Sequence, residues 1–265
     1  MSDSRLVSYT RISPNSSARR HKIDTVTVHC TDGHMTVEQL GALFARPSRR
    51  ASSNYGIGDD GRIGLYVPEG RRAWTTGGDL TVNGISGSDN DHRAVTIEVS
   101  SDHGVPHAVT REALDALVLL LADICQRNGI DRLRWEGDRS LVGDLSRQNM
   151  TAHRWFSSSR SCPGNYLFAR MGKIAQAANE ILEAAERPPE DDVTQEQFNG
   201  MMAAWIAEQK KKLVQPYAEE ALAWAKESGV MAGDKTGNQM PQAFTTREDT
   251  VVALWRAFKQ AGLID

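Results

Sequence analysis

The chain is short of three things. Only three of its 265 residues are cysteine, so no disulfide framework is built into it. It has no excess of positive charge: 31 Lys and Arg stand against 34 Asp and Glu, for a net charge of −3. The basic residues are scattered, which argues against a nucleic-acid binder. And no window approaches the roughly 18–20 apolar residues that a helix needs to cross a bilayer. The start, Met1-Ser-Asp-Ser-Arg5, is polar and lacks the apolar stretch of a secretory leader. The expectation is therefore synthesis in a cytoplasm. With 40% hydrophobic and 25% charged residues the composition is that of an ordinary globular protein.

What is there divides into two parts. Thr25–Cys30 alternates as a strand, with Val26 and Val28 on one face and Thr27 and His29 on the other. Thr36-Val-Glu-Gln39 is a capping box that opens a helix over about 37–46. Residues 52–57 and 62–67 read as strands joined by Asp59-Asp-Gly61. The stretch 70–92, rich in Gly, Asn, Asp, Ser and Thr, reads as a long loop, and such loops are often functional. Ala94–Ser100 is a further strand with Thr96 and Glu98 on its polar face. Arg111–Asn128 is an amphipathic helix closed by Gly129. Leu133–Trp135 suggests a short strand, and Tyr166–Glu186 a closing helix. Arg187-Pro-Pro-Glu-Asp-Asp192 is a composition break, so 188–193 is read as a linker. Beyond it the pattern is helical only, with capping boxes at Thr194 and Thr245. Strands and helices before the break and helices alone after it predict an α/β domain over 1–187 and a small all-α domain over 194–265.

Chemistry concentrates at three places. His29 ends a strand, His153 lies in a loop, and Cys162 stands nine residues further on, before Pro163-Gly164. Taken singly, each reads as a structural residue. Taken together they supply two imidazoles and one thiolate, and three protein ligands with one open position are how a catalytic zinc site is usually built. Cys30 and Cys125 read as small buried hydrophobes. His34, His92, His103 and His107 fall in loops outside this set.

Residues 23–183 resemble the zinc-dependent N-acetylmuramoyl-L-alanine amidases, the amidase-2 group shared with peptidoglycan recognition proteins and many phage endolysins. The resemblance rests on Val28-His-Cys-Thr31, Ser53-Asn-Tyr-Gly-Ile57 with Asp60-Gly61, Val67-Pro-Glu69 leading to Ala73-Trp74, Ala94-Val-Thr-Ile-Glu-Val99, and His153 with Cys162-Pro-Gly164, all in family order. It implies a central, mostly mixed β-sheet flanked by helices, Zn2+ on His29, His153 and Cys162, and hydrolysis of the amide joining N-acetylmuramic acid to L-alanine in peptidoglycan. It puts the general base at Glu98. Arg160 stands where the family often has an oxyanion-stabilising lysine, a change that keeps the charge but alters its shape. Ser53 replaces a tyrosine of one branch. Trp74 falls where the family places a groove wall, and Tyr55, on the same strand face as Ser53, reads either as a groove residue or as a core tyrosine; Ser53, Asn54, Tyr55 and Trp74 are the substrate contacts expected.

Residues 216–258 resemble a single S-layer-homology repeat, through Pro216-Tyr-Ala218, Trp224-Ala225, Glu227-Ser-Gly-Val230, Gly233, Phe244, Thr246-Arg-Glu248 and Arg256. Such repeats commonly bind cell-wall polymers in groups of three. One copy leaves two expectations open: a wall-polymer contact, or oligomerisation through the C-terminal helices. The apolar positions Phe198, Met201, Met202, Trp205 and Ile206 read as a packing face or dimer seam, and Lys210–Lys212 as a solvated helix end. The whole points to an endolysin of a phage or prophage, released to the host cell wall by a holin-type partner. The alternatives are a non-catalytic peptidoglycan-binding module and a cytoplasmic amidase that recycles anhydro-muropeptides. No nucleic acid or membrane is expected as a partner.

Overall fold

The computed structural model describes residues 3–186, 193–209, 211, 214–231 and 247–264. The chain forms two compact units, Met1–Arg187 and Pro188–Asp265. Most of the expected linker, Lys210 and Lys212, and the stretch holding Gly233, Phe244, Thr245 and Thr246 lie outside the described residues.

In chain order the first unit runs β1 (Val7–Thr10), β2 (Ser16–Ala18), β3 (Thr25–Cys30), α1 (Val37–Phe44), β4 (Tyr55–Ile57), β5 (Ile63–Leu65), β6 (Arg71–Ala73), β7 (Thr81–Val82), β8 (Ile85–Ser86), α2 (Gly87–Arg93), β9 (Ala94–Val99), α3 (Arg111–Asn128), β10 (Met150–Ala152), α4 (Gly164–Phe168) and α5 (Met171–Glu186). Six strands form one sheet in the order β1-β5-β4-β9-β3-β10. It is mixed: β4 and β5 are antiparallel, and the other neighbours are parallel. The α/β architecture and the mixed central sheet are as expected.

Period-two alternation divides the sheet into two faces. Val26, Val28, Tyr55, Ile57, Val95, Ile97 and Val99 pack with Leu117, Leu121 and Ile124 of α3 and with Met171, Ile174 and Ala178 of α5 into the main core. The other face carries Thr27, His29, Thr96 and Glu98. Toward β5 this second face is covered by Leu40 and Phe44 of α1 and by Tyr66. The Tyr66 ring lies over Gly56 and Gly64, which are paired across the β4–β5 ladder. A Cβ at Gly56 would sit 2.6 Å from that ring and one at Gly64 2.4 Å from its hydroxyl. Only glycine lets the ring approach so closely. Tyr66 also donates to the Val37 carbonyl at 2.8 Å, tying α1 to the sheet.

Several expectations meet the structure directly. Thr36 and Gln39 form the capping box of α1, and α3 ends at Gly129 in the left-handed conformation, φ 66°. Others are corrected. Residues 1–22, read as a polar lead-in, supply β1 on the sheet edge and β2 paired with β6. Leu133–Trp135 is not a strand. Side-chain amides satisfy its backbone instead: Leu133 N–H donates to Asn179 and Arg134 N–H to Asn149, both at 2.7 Å. The closing helix is split into α4 and α5 around Ala169–Arg170.

The second unit contains α6 (Gln195–Gln209), α7 (Glu219–Glu227) and α8 (Arg247–Gln260). Thr194 and Gln197 exchange the two hydrogen bonds of the expected capping box, at 2.9 and 3.1 Å. Of the apolar positions of α6, Phe198, Met201 and Ile206 are exposed, while Met202 and Trp205 are half-buried. Among the described residues, no helix of either unit is long and apolar enough to cross a membrane.

Candidate active site

Parallel pairing of β3 with β9 puts His29 in register with Glu98 on the polar face of the sheet. β10, on the other side of β3, leads straight into His153. Cys162 returns to the same place from the loop before α4, and the Cys30 N–H donates to its Sγ at 3.3 Å. The His29 and His153 rings meet edge to face with centroids 5.1 Å apart. One donor atom from each of His29, His153 and Cys162 lies within 4.8 Å of the other two, the one such group among the described residues that could hold a metal ion.

The donor set fits a cation in its protonation as well as its position. Burial, with the neighbouring His153, holds the His29 imidazole well below its usual pKa. Burial does the same to His153, against an opposing hydrogen bond from Gly77. Both rings are thus neutral at pH 7, the form that binds metal. The Gly77 carbonyl, 2.9 Å from His153 Nε2, can only accept. The proton therefore sits on Nε2, and Nδ1 is left with a free lone pair. His29 Nε2 lies 3.2 Å from the Thr76 hydroxyl. The Thr76 loop is in turn held by the buried carboxylate of Asp91, which accepts from the Thr75 and Thr76 N–H groups at 2.9 Å. Partners of this kind fix the tautomer and orientation of metal-binding imidazoles. The loop that carries Thr76 is pressed onto α2: a Cβ at Gly87 would lie 2.0 Å from the Thr76 carbonyl. Burial, foremost, pushes the Cys162 thiol up, and binding a cation requires that this thiol lose its proton.

Glu98 is half-buried, and its Oε2 is covered with no hydrogen-bond partner. Burial first, and Cys30 second, raise its carboxyl well above the usual carboxylate range. Glu98 shares a cavity of about 390 Å³ with Cys30, His153, Arg160 and Cys162, walled by Met35, Leu43 and Phe44. A second cavity of about 610 Å³ adjoins it at His153, Thr75 and Arg160 and carries Arg50, Arg72 and Trp74. Together they make one groove with an apolar half and a half where Arg50 and Arg72 stand beside Asp79 and Asp91.

Not every residue expected in the groove is there. Trp74 is: half-buried, it lines the half with Arg50 and Arg72, and its Nε1 donates to Ser17 at 3.3 Å. Arg160 is exposed where the two halves meet. Tyr55, Ser53 and Asn54 are not. Tyr55 shares a strand face with Ile57, and that face is the core; its hydroxyl donates to the buried Glu69 at 2.7 Å. Ser53 donates to the Thr96 carbonyl at 2.9 Å, and Asn54 donates to the Val67 carbonyl at 3.0 Å and accepts from Thr96 N–H at 3.1 Å. Their polar atoms are spent on pinning β4 to β9 and to the loop after β5. Cys30 is half-buried, packed against the main core and close to Cys162, Cys125 is fully buried in the core as expected, and all three cysteines are free. Sequence reasoning missed Thr76, Gly77, Asp91, Arg50 and Arg72. The composition of 70–92 flagged the stretch that holds Arg72, Thr76, Gly77 and Asp91, but as one long loop, whereas it contains β6, β7, β8 and α2, and it did not single out these residues.

Comparison with known proteins bears on this arrangement. A search of curated proteins gives no match. Among solved structures, the chain is similar to a selenomethionine derivative of AmpD, with 21% identity over 65% of this chain and 96% of that one, at a TM-score of 0.48. It is also similar to the Staphylococcus aureus hydrolase AmiA in complex with its ligand, with 16% identity over 68% and 86% and a TM-score of 0.48. The endolysin N-acetylmuramoyl-L-alanine amidase LysCS from Clostridium intestinale URNW gives 18%, 60%, 86% and 0.39. The amidase-2 family model, described as N-acetylmuramoyl-L-alanine amidase, matches residues 19–165, a span that holds His29, Glu98, His153 and Cys162. That span is more than half of the chain, and the protein belongs to the N-acetylmuramoyl-L-alanine amidase family, enzymes that hydrolyse an amide bond of peptidoglycan.

Proposed function

We propose that the chain is a zinc-dependent amidase that cuts between N-acetylmuramic acid and L-alanine and acts on the bacterial cell wall as an endolysin. The observation that carries the reading is the convergence of His29, His153 and Cys162 beside a half-buried glutamate in one groove. Two imidazoles and a thiolate with an open fourth position suit zinc. Zinc held there would polarise the amide carbonyl and lower the pKa of a water molecule.

The chain's own residues do the rest. Glu98 Oε2 accepts a proton from the attacking water and returns it to the departing amide nitrogen. Burial, which raises the Glu98 pKa above the usual carboxylate range, favours taking up that proton before it is passed on. The Arg160 guanidinium, at the junction of the two half-grooves, faces the charge that develops on the carbonyl oxygen. Arg50 and Arg72 give the larger half-groove guanidinium groups suited to the carboxylates of a stem peptide. Trp74 offers a flat apolar edge beside them.

The exposed Tyr217, Trp224 and Trp255 of the second unit, with the S-layer-like sequence pattern, support retention on a wall polymer. In this reading the protein is made in a cytoplasm and reaches the wall through a holin-type lesion.

The test uses purified sacculi and the purified protein. Expected are one zinc per chain, new free amines and no new reducing sugar ends. Cys162→Ser should lose the zinc and at least about 10³ in rate while keeping its circular dichroism, as removal of a ligand to catalytic zinc implies. Zinc-loaded protein that leaves sacculi intact would overturn the reading, as would reducing ends in place of amines.

A further inference from the structure

One thiol beside the metal-ligand set has no part in the chemistry above. Cys30 and Cys162 are 132 residues apart in sequence, yet the Cys30 N–H donates to Cys162 Sγ at 3.3 Å. Both line the same cavity of about 390 Å³, open to small solutes. Cys162 belongs to the group that could hold a metal ion, and Cys30 does not. Cys30 Sγ is three bonds from the nitrogen that already touches Cys162 Sγ. That contact sets the Cys30 side chain next to the Cys162 sulfur, the proximity that a disulfide requires.

We propose that Cys30 and Cys162 form a reversible disulfide that removes the thiolate from the metal-ligand set and switches the amidase off under oxidising conditions. The switch rests on the reading of Cys162 as a zinc ligand. Cys30 is the free sulfur of the pair, because a bound metal would occupy Cys162. With hydrogen peroxide as oxidant, the Cys30 sulfur attacks the O–O bond and becomes a sulfenic acid as water leaves. The Cys162 sulfur then attacks the sulfenic sulfur, the S–S bond forms, and a second water leaves. In sum two thiols lose two hydrogens and two electrons, and one peroxide becomes two waters. Two histidines remain to hold the ion, too few for a closed site. A dithiol reductant breaks the S–S bond and restores both thiols. Cys125, on the buried face of α3, takes no part.

The experiment treats the full-length zinc-loaded protein with peroxide. Thiols titrated after denaturation should fall from three to one, with a mass loss of about 2 Da per bridge. A non-reducing peptide map should join residue 30 to residue 162. Zinc should appear in a chelating dye as activity falls more than about tenfold, and dithiothreitol with zinc should restore both. Cys30→Ser and Cys30→Ala should start at full activity and form no internal bridge. Whatever activity they lose to peroxide should not return with thiol, because an unpartnered Cys162 oxidises past the reversible stage. Cys125→Ser should behave as the wild type. A link through Cys125 or between chains overturns the proposal, as does full thiol-reversible inactivation of Cys30→Ala. Intact zinc and activity without a bridge sink the switch alone. A bridge in protein that never held zinc sinks the switch and the zinc reading together.

Discussion

In the unit Met1–Arg187, Tyr55, Ile97, Leu117, Leu121 and Phe156 have no exposed surface, whereas in Pro188–Asp265 Phe198, Trp224, Trp255 and Phe258 keep about half of theirs in solvent. The first unit buries its apolar residues through a sheet that joins segments far apart in sequence, so each strand face is covered by α3 and α5 or by α1 and Tyr66. The second presents amphipathic helices whose described apolar residues remain largely open. Exposed aromatic surface of this kind marks a binding face more often than a core. A site that must hold three ligands in register needs the first kind of unit; a surface that grips a polymer can be the second.

The largest expected effect lies in the first unit. Glu98→Gln removes the proton acceptor and keeps the volume. The rate of amide cleavage should drop by about 10²–10⁴, with zinc content unchanged. Thermal stability should hold or rise, because the amide cannot carry the charge that burial at this position disfavours. Single-turnover rates on a soluble muropeptide, beside melting curves, check this. A loss below about threefold would reduce Glu98 to a bystander.

The comparison itself is tested by truncating one apolar residue in each unit. Leu121→Ala, in the fully buried face of α3, should cost about 2–5 kcal/mol of unfolding free energy. Trp224→Ala should stay within about 0.5 kcal/mol yet weaken co-sedimentation with purified sacculi. Equal destabilisation by the two would mean that the Trp224 ring packs in solution, and the contrast between the units would fail.

Much of this was legible in the sequence. Strict alternation in Thr25–Cys30 and Ala94–Val99 put His29 and Glu98 on polar faces, and parallel pairing then brought them side by side. The same rule placed Ser53 and Tyr55 on a common face but could not say which face was the groove. Tyr55-Gly-Ile57 has its two large residues on the core side and its glycine on the other, beneath Tyr66. β1, β2 and β6 are three or four residues long and partly exposed, too short for a period to register. The braces on the imidazoles are a threonine hydroxyl and a glycine carbonyl. No residue type announces that use; it exists only once a loop some fifty residues downstream of His29 is pressed onto the sheet. The proximity of Cys30 to Cys162 is hidden for the same reason.

The smallest expected effect reads the polar interior of the first unit. Asp91 is buried, and burial raises its pKa to about 6, against the hydrogen bonds from Thr75 and Thr76 that pull it down. In the unfolded chain it returns to near 3.9. Between those values the folded protein holds a proton that the unfolded chain has lost. Folding stability should therefore fall as pH rises from about 4 to 6, by at most roughly 3 kcal/mol, and then level off. Among its described residues the second unit has no buried carboxylate, so this slope belongs to the catalytic unit. Asp91→Asn should flatten it. Urea unfolding of chelator-treated protein at about pH 4, 5 and 6.5 measures the slope in both. If the two slopes run parallel, Asp91 is ionised throughout, and its carboxylate braces the Thr76 loop as a charge rather than as a shared proton.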